Sequence, residues 1–149
     1  MRILMVCLGN ICRSPLAEGI LSNKTKHLDL KVESAGTSAY HIGESPDIRS
    51  IEIARKYNID LSKQRARQFN RLDFDRCDMI YAMDTNNYAH LISLTSNENE
   101  RNRIKLILNE TNPTLCKSVP DPYYGGKNGF QDVYNMLNQA CDKIVQNIE

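Results

Sequence analysis

The sequence predicts an α/β fold in which helices cover both faces of a parallel sheet, giving a three-layer sandwich. Strands are predicted where short apolar or alternating runs occur, at residues 3–6, 30–34, 79–82 and 104–108. Segments with the spacing of amphipathic helices separate these runs, and another closes the chain. Strands that alternate with helices in this way pair in parallel. A length of 149 residues is enough for one domain with its own core, so we expect a single domain over residues 1–149.

The first two helices are predicted from capping residues and apolar spacing. Ser14 is expected as the N-cap of the first helix, with Pro15 in its first turn and an end near residues 26–28. Asp47 follows Ser-Pro and is expected to open a second helix, which ends near residues 57–58.

The second half of the chain follows the same pattern. Asn70 and Asp84 are placed to cap two helices on either side of the third predicted strand. Residues 95–102 are polar and are predicted as a loop, whereas residues 130–148 keep the apolar spacing of a long helix that packs on the core. The connection over residues 109–129 contains three prolines, and a connection of this length is usually functional.

Composition argues against several classes of function. Nineteen basic residues against eighteen acidic ones give no strong field, so neither nucleic acid nor a membrane surface is expected as a partner. No apolar run is long enough for a membrane helix or a signal peptide. Five cysteines without a C-x-x-C pair argue against a secreted disulfide framework and against a zinc site. We therefore expect a cytoplasmic protein without a bound metal.

The junction between the first strand and the first helix carries the strongest functional signal. Cys7 ends the strand and Ser14 begins the helix, with a loop containing Gly9 and Asn10 between them. Backbone N–H groups in such a loop converge on an anion, helped by the positive end of the helix. They also favour a thiolate at Cys7, which becomes a nucleophile, while the planar fork of Arg13 matches two phosphate oxygens. This pattern predicts a phosphate loop, residues 7–14, that forms a phosphocysteine, with the Ser14 hydroxyl donating to the thiolate.

Other interpretations of this loop remain open on the spacing alone. The Walker and dinucleotide-binding patterns are absent. A bare Cys-x5-Arg spacing also fits a buried thiol at a strand end followed by a surface arginine. The complete stretch at a strand–helix junction favours the functional interpretation. The basic stretch over residues 65–69 is either a solvated surface or a contributor to the phosphate field.

The long connection contains the candidate proton donor. Transfer of a phosphoryl group from an alkyl or aryl oxygen needs a proton for the leaving group, and the phosphate loop has none to give. Asp121 lies between two prolines, which restrict its backbone, and Tyr123 and Tyr124 could wall a slot for an aromatic ring. An Asp-Pro pair in a loop is by itself more often a simple turn.

The two segments together resemble a known family. Val6-Cys7-Leu8-Gly9-Asn10-Ile11-Cys12-Arg13-Ser14-Pro15 and Asp121-Pro122-Tyr123-Tyr124-Gly125 are similar, in the expected order, to the two signatures of the low-molecular-weight protein tyrosine phosphatases. The resemblance implies a flavodoxin-like four-stranded parallel sheet in the order 2-1-3-4. It also implies hydrolysis of phosphotyrosine in proteins or peptides, with no cofactor, with inorganic phosphate as the product and with Asp121 as general acid and base.

The resemblance also implies supporting residues. Asn10 and Ser34 match a hydrogen-bonded pair that fixes the loop, and Asp47 and Asp84 match structural carboxylates, with Asp84 directed toward the phosphate loop. Gln64 departs from the family, which often has histidine there. The substrate and phosphate contacts that we expect are Leu8, Gly9, Asn10, Ile11, Cys12, Ser14, Tyr40, Tyr123 and Tyr124.

Three alternative functions are compatible with this fold. An arsenate reductase would need relay cysteines, which Cys77 and Cys116 do not resemble, and an inactive phosphate-binding module would not need Cys7, Arg13 and Asp121 together. Arginine phosphatases on this fold carry Thr where this chain has Ile11.

Because a second thiol lies in the same loop, we also predict that Cys12 forms a protective disulfide with oxidised Cys7.

Overall fold

The computed structural model describes residues 1–126 and 128–149, without the side chain of Tyr124, and it confirms the predicted sandwich and strand order. The strands form one parallel sheet in the order β2-β1-β3-β4. They are β1 (Arg2–Cys7), β2 (Lys31–Gly36), β3 (Met79–Ala82) and β4 (Ile104–Leu106). The helices are α1 (Arg13–Lys24), α2 (Ile48–Arg55), α3 (Leu72–Arg76), α4 (Thr85–Ser93), α5 (Glu98–Asn102) and α6 (Gly129–Ile148).

Strand β1 lies inside the sheet and divides the core in two. Its side chains alternate, as the pleat requires. Ile3 and Met5 face a cluster that includes residues of α1, α2 and α6, and Leu4 and Val6 face a second cluster that includes residues of α3 and α4. All four side chains are fully buried, so the strand is held from both faces.

Helix α1 begins differently from the prediction. It starts at Arg13 with Cys12 as its N-cap residue, and the expected capping by Ser14 is wrong. The Ser14 hydroxyl instead lies 3.0 Å from Cys7 Sγ and accepts a hydrogen bond from Asn10 Nδ2. A hydroxyl held by these tertiary partners is not available to cap its own helix.

Asp47 and Asp84 do cap α2 and α4, where they accept hydrogen bonds from the Arg49 and Asn87 backbone N–H groups. Helix α3 instead has Arg71 as its N-cap residue, so the expected cap at Asn70 is wrong, although the Asn70 side chain accepts a hydrogen bond from the Leu72 N–H. Two further local predictions are wrong. Residues 98–102 of the predicted loop form α5, and the fourth strand ends at Leu106 in a 3-10 turn, Ile107–Asn109.

The carboxyl ends of β1 and β2 form the base of the phosphate loop. Cys7 is paired with Gly36, and the Thr37 and Ser38 N–H groups donate to the Cys7 and Leu8 carbonyls beyond the strands. A Cβ at Gly36 would lie 2.7 Å from the Leu8 carbonyl oxygen, so any larger residue at this position would clash with the backbone of the phosphate loop. In the part of the chain that the structure describes, no helix is both long and apolar enough to cross a membrane.

Candidate active site

The Cys7 thiol lies under the phosphate loop with two polar partners. The Asn10 backbone N–H donates to Cys7 Sγ at 3.3 Å, and Ser14 Oγ lies 3.0 Å from the same sulfur. Asn10 has a φ of 57°, a left-handed conformation that asparagine tolerates better than most residues. This turn directs a backbone donor toward the sulfur, and N–H groups that converge in this way suit an anion placed above it.

The Asn10 side chain fixes the shape of the loop through three hydrogen bonds. Its Nδ2 donates to Ser14 Oγ and Ser34 Oγ at 2.8 and 3.0 Å, and its Oδ1 accepts from the Arg67 N–H at 3.0 Å. The expected contact between Asn10 and Ser34 is therefore present. Ser34 Oγ in turn donates to Glu18 at 2.7 Å. Burial raises the pKa of the Glu18 carboxyl above its usual value, although that hydrogen bond opposes the shift.

The Arg13 guanidinium is buried and held from two sides. Its Nη1 donates to Asp84 Oδ2 at 2.6 Å and to the Val119 carbonyl at 3.0 Å. Asp84 accepts the Asn87 N–H with its other oxygen, so one carboxylate both caps α4 and orients the arginine. This explains the expected orientation of Asp84 toward the phosphate loop, because Arg13 belongs to that loop.

Asp121 lies in the same cleft as Cys7 and near Arg13. Its Oδ1 accepts the Tyr123 backbone N–H at 3.0 Å, and its Oδ2 lies 3.9 Å from Arg13 Nη2. The Val119 N–H donates to the Met83 carbonyl just beyond β3, which ties the segment to the sheet. One carboxylate oxygen is thus held by its own backbone turn, and the other faces the arginine that lines the cleft.

A cleft of about 220 Å³ opens above the thiol, and most of the expected contact residues line it. The lining residues are Cys7, Leu8, Gly9, Ile11, Cys12, Arg13, His41, Asp121 and Tyr123. Asn10 and Ser14 lie beneath this surface, where they support it. The expectation for the Tyr124 side chain falls outside the described residues.

Tyr40, one of the expected substrate contacts, is 85% exposed and lies outside the lining of the cleft, whereas the neighbouring His41 belongs to that lining. A Cβ on Gly9 would lie 2.9 Å from the His41 ring, which shows how closely the ring covers the loop. The ring is held by Glu44 Oε2, 2.5 Å from His41 Nδ1. Sequence reasoning missed His41 because its spacing carries no ligand or catalytic pattern.

Two further features noted in the sequence, the basic stretch over residues 65–69 and Gln64, lie outside the cleft lining. The basic stretch over residues 65–69 supports the loop through the backbone of Arg67, while its guanidinium forms a bidentate ion pair with Asp73. Neither Arg65 nor Arg67 lines the cleft. Gln64 donates to the Pro15 carbonyl at 3.1 Å, so it contacts the first turn of α1.

Burial changes the acidity of three further cysteines. It raises the pKa of Cys12, with help from the Asp47 carboxylate, and of Cys141 to about 12, and that of Cys77 to about 11. These thiols are neutral at physiological pH and are therefore poor nucleophiles. Among the described residues, no group of three His, Cys, Asp or Glu side chains is arranged to hold a metal ion.

Comparisons with known sequences and structures find similar proteins over almost the whole chain. Residues 2–149 match the sequence model of the family described as low molecular weight phosphotyrosine protein phosphatase. A phosphatase with that name from Schizosaccharomyces pombe is 37% identical, over 99% of this chain and 96% of its own. A crystal structure of a protein tyrosine phosphatase from Entamoeba histolytica superposes with a TM-score of 0.91 at 34% identity, covering 99% of this chain and 96% of the other. A Drosophila arginine phosphatase superposes with a TM-score of 0.89 at 29% identity, covering 100% and 98% of the two chains.

Proposed function

The chain belongs to the low molecular weight phosphotyrosine protein phosphatase family, and we propose that it hydrolyses phosphotyrosine in proteins through a phosphocysteine at Cys7. The observation that carries the proposal is the position of the sulfur, which has the Asn10 N–H and the Ser14 hydroxyl as partners and lies in one cleft with Arg13 and Asp121. Residues 1–149 would act as one catalytic domain. No metal or cofactor enters the proposed reaction, and we propose a cytoplasmic location.

In the first step, the Cys7 thiolate attacks the phosphorus of bound phosphotyrosine. The sulfur–phosphorus bond forms while the bond between phosphorus and the tyrosine oxygen breaks. Asp121 gives its proton to that oxygen, which leaves as a neutral phenol. The loop N–H groups and Arg13 stabilise the charge on the other phosphate oxygens.

In the second step, water attacks the phosphocysteine. Asp121, now ionised, takes a proton from the attacking water, and the sulfur–phosphorus bond breaks to release inorganic phosphate. The Ser14 hydroxyl, 3.0 Å from the sulfur, donates to the departing thiolate and so stabilises it. Asp121 is then protonated again and Cys7 is again a thiolate, so the enzyme can begin another turnover.

Phosphoarginine is the second candidate substrate, because a Drosophila arginine phosphatase shares this fold. Ile11 lines the cleft of this chain and offers no hydrogen bond to a guanidinium, whereas Tyr123 provides an aromatic wall. We expect kcat/KM on phosphotyrosine peptides to exceed that on phosphoserine and phosphoarginine peptides by about 100-fold or more. We expect phosphoserine to be too short for its phosphate to reach Cys7.

The Ile11→Thr variant should shift the ratio of kcat/KM values toward phosphoarginine, by about 10-fold. The control is Ile48→Thr, because Ile48 lies outside the cleft lining. Both ratios are measured by release of inorganic phosphate from matched peptides. Equal kcat/KM on phosphoarginine and phosphotyrosine in the parent enzyme would contradict the assignment of substrate.

We also expect that peroxide inactivates the enzyme reversibly through a Cys7–Cys12 disulfide. Peroxide oxidises the Cys7 thiolate to a sulfenic acid, and Cys12 then displaces water to form the disulfide. Both thiols line the same cleft, and the raised pKa of Cys12 keeps that thiol neutral and slow to react with peroxide.

The Cys12→Ser variant should therefore keep most basal activity but lose its recovery with dithiothreitol after peroxide treatment. The measurement is the activity regained after a fixed exposure, with Cys141→Ser, another buried thiol, as the control. Full recovery of Cys12→Ser would show that Cys12 does not protect the nucleophile.

A further inference from the structure

The start of helix α2 is attached to the phosphate loop. The Asp47 backbone N–H donates to the Ile11 carbonyl at 2.7 Å, and Ser50 Oγ donates to the Cys12 carbonyl at 3.2 Å. Ser50 is fully buried, so its hydrogen bond to the loop is protected from competing water. These two hydrogen bonds fix the position of the first turn of α2, and of the side chains on it, relative to the loop that holds the nucleophile.

Arg49 projects from that turn and its guanidinium is fixed by Asp47. Its Nε and Nη2 donate to the two oxygens of the Asp47 carboxylate at 3.0 and 2.9 Å. The hydrogen bonds from Arg49 lower the pKa of Asp47, which keeps the carboxylate charged. The same carboxylate caps α2 through the Arg49 N–H, so both the backbone and the side chain of Arg49 bind one group.

The other side of the guanidinium contacts the segment that carries Asp121. Arg49 Nη1 donates to the Tyr123 carbonyl at 3.4 Å. The guanidinium carbon lies 5.1 Å from the centre of the Tyr123 ring and 4.7 Å from that of Phe130, within the range of cation–π attraction. Tyr123 belongs to the 3-10 turn after Asp121, and Phe130 to the first turn of α6.

Tyr123 in turn holds the carboxyl group of Asp121. Its backbone N–H donates to Asp121 Oδ1 at 3.0 Å, while Asp121 Oδ2 faces Arg13. The contacts therefore run from the phosphate loop through Asp47, Arg49 and Tyr123 to Asp121. Every link is a hydrogen bond or a ring contact between described atoms.

We propose that Arg49 is a positioning residue that sets the distance between the Cys7 nucleophile and the Asp121 proton donor. The proposal rests on the function proposed above. Arg49 does not line the cleft, so it acts through Tyr123 and Asp121 rather than on the phosphate. Arginine suits this role because its planar group binds a carboxylate with two N–H groups while its face contacts aromatic rings, whereas lysine offers a single point charge.

The test is the dependence of kcat/KM on the leaving group, measured with aryl phosphates of increasing phenol acidity. A misplaced proton donor matters most when the leaving group is a poor one. We expect Arg49→Met to lower kcat/KM by about 10-fold or more on phenyl phosphate and much less on p-nitrophenyl phosphate. The affinity for vanadate should stay within about 2-fold of the parent, since the phosphate loop is intact. Arg55→Met is the control, because Arg55 is an exposed arginine on the same helix.

Two further variants separate positioning from folding. Arg49→Lys keeps the charge, and we expect it to show a smaller change of the same kind. In an Asp121→Ala background, Arg49→Met should cause no additional loss that depends on the leaving group, because the donor is already absent. A parent-like dependence in both Arg49 variants, or additive losses in the double variant, would overturn the proposal while the phosphatase assignment stands. Failure of the parent enzyme to hydrolyse any aryl phosphate would instead overturn the proposed function, and this proposal with it.

Discussion

The Cys7→Ser variant should lose turnover by about 10⁴-fold or more while still binding phosphate or vanadate. A serine hydroxyl is far less acidic than a thiol and stays protonated, so the variant lacks a nucleophile. The anion contacts should survive, because a serine Oγ can accept the Asn10 N–H in place of the sulfur, while Arg13 and the Asn10 side chain are held by other groups.

Turnover of p-nitrophenyl phosphate and calorimetric titration with phosphate measure these two properties separately. Cys116→Ser is the matched control, since Cys116 is exposed and lies outside the cleft, and it should behave as the parent. Retained hydrolysis in Cys7→Ser would mean that another group attacks the phosphorus. Loss of both hydrolysis and anion binding would mean that the sulfur also shapes the loop.

The Asp121→Ala variant should lower kcat by about 10²- to 10⁴-fold on substrates with poor leaving groups, the usual value of a general acid. The loss in kcat/KM should shrink as the phenol becomes more acidic, because an acidic phenol leaves without a proton. Asp121 is well placed for this role, since the Tyr123 N–H holds one of its oxygens and the other faces the cleft arginine.

The same series of aryl phosphates measures this prediction. Asp75→Ala serves as the control, because Asp75 is an exposed carboxylate on α3. An equal loss of kcat/KM on every leaving group would contradict the assignment of Asp121 as the acid and would point to a role in binding or in loop structure.

The parts of the structure that were predictable are those governed by local patterns. The apolar runs located the strands because a strand inside a parallel sheet is buried on both faces, as Leu4 and Met5 show. Asp47 and Asp84 were recognisable as helix caps because capping acts over two or three residues. The phosphate loop was recognisable because its residues are contiguous.

The failures come from contacts between distant parts of the chain. Ser14 does not cap α1, because its hydroxyl bonds to Cys7 and Asn10 once the loop has closed. The predicted fourth strand stops early because the pairing with β3 ends at Leu106, although the next two residues are equally apolar.

Features of the site that depend on the course of a loop or on distant contacts could not be predicted either. His41 replaces Tyr40 in the cleft, since the backbone course of an irregular loop decides which of two neighbours faces inward. Arg49 and Tyr123 are separated by 74 residues, and no spacing in the sequence links them. Glu18, which supports Ser34 from α1, was missed for the same reason.

The central claim is that Cys7 carries the phosphoryl group between the two steps, and rapid acid quenching tests it most directly. The parent enzyme and the Asp121→Asn variant are mixed with p-nitrophenyl phosphate, quenched during turnover and digested, and the peptide that contains Cys7 is analysed by mass spectrometry. We expect a phosphoryl group on Cys7, at higher occupancy in Asp121→Asn because that variant lacks the base for the second step. An unmodified Cys7 peptide during continuing release of phosphate would contradict the account.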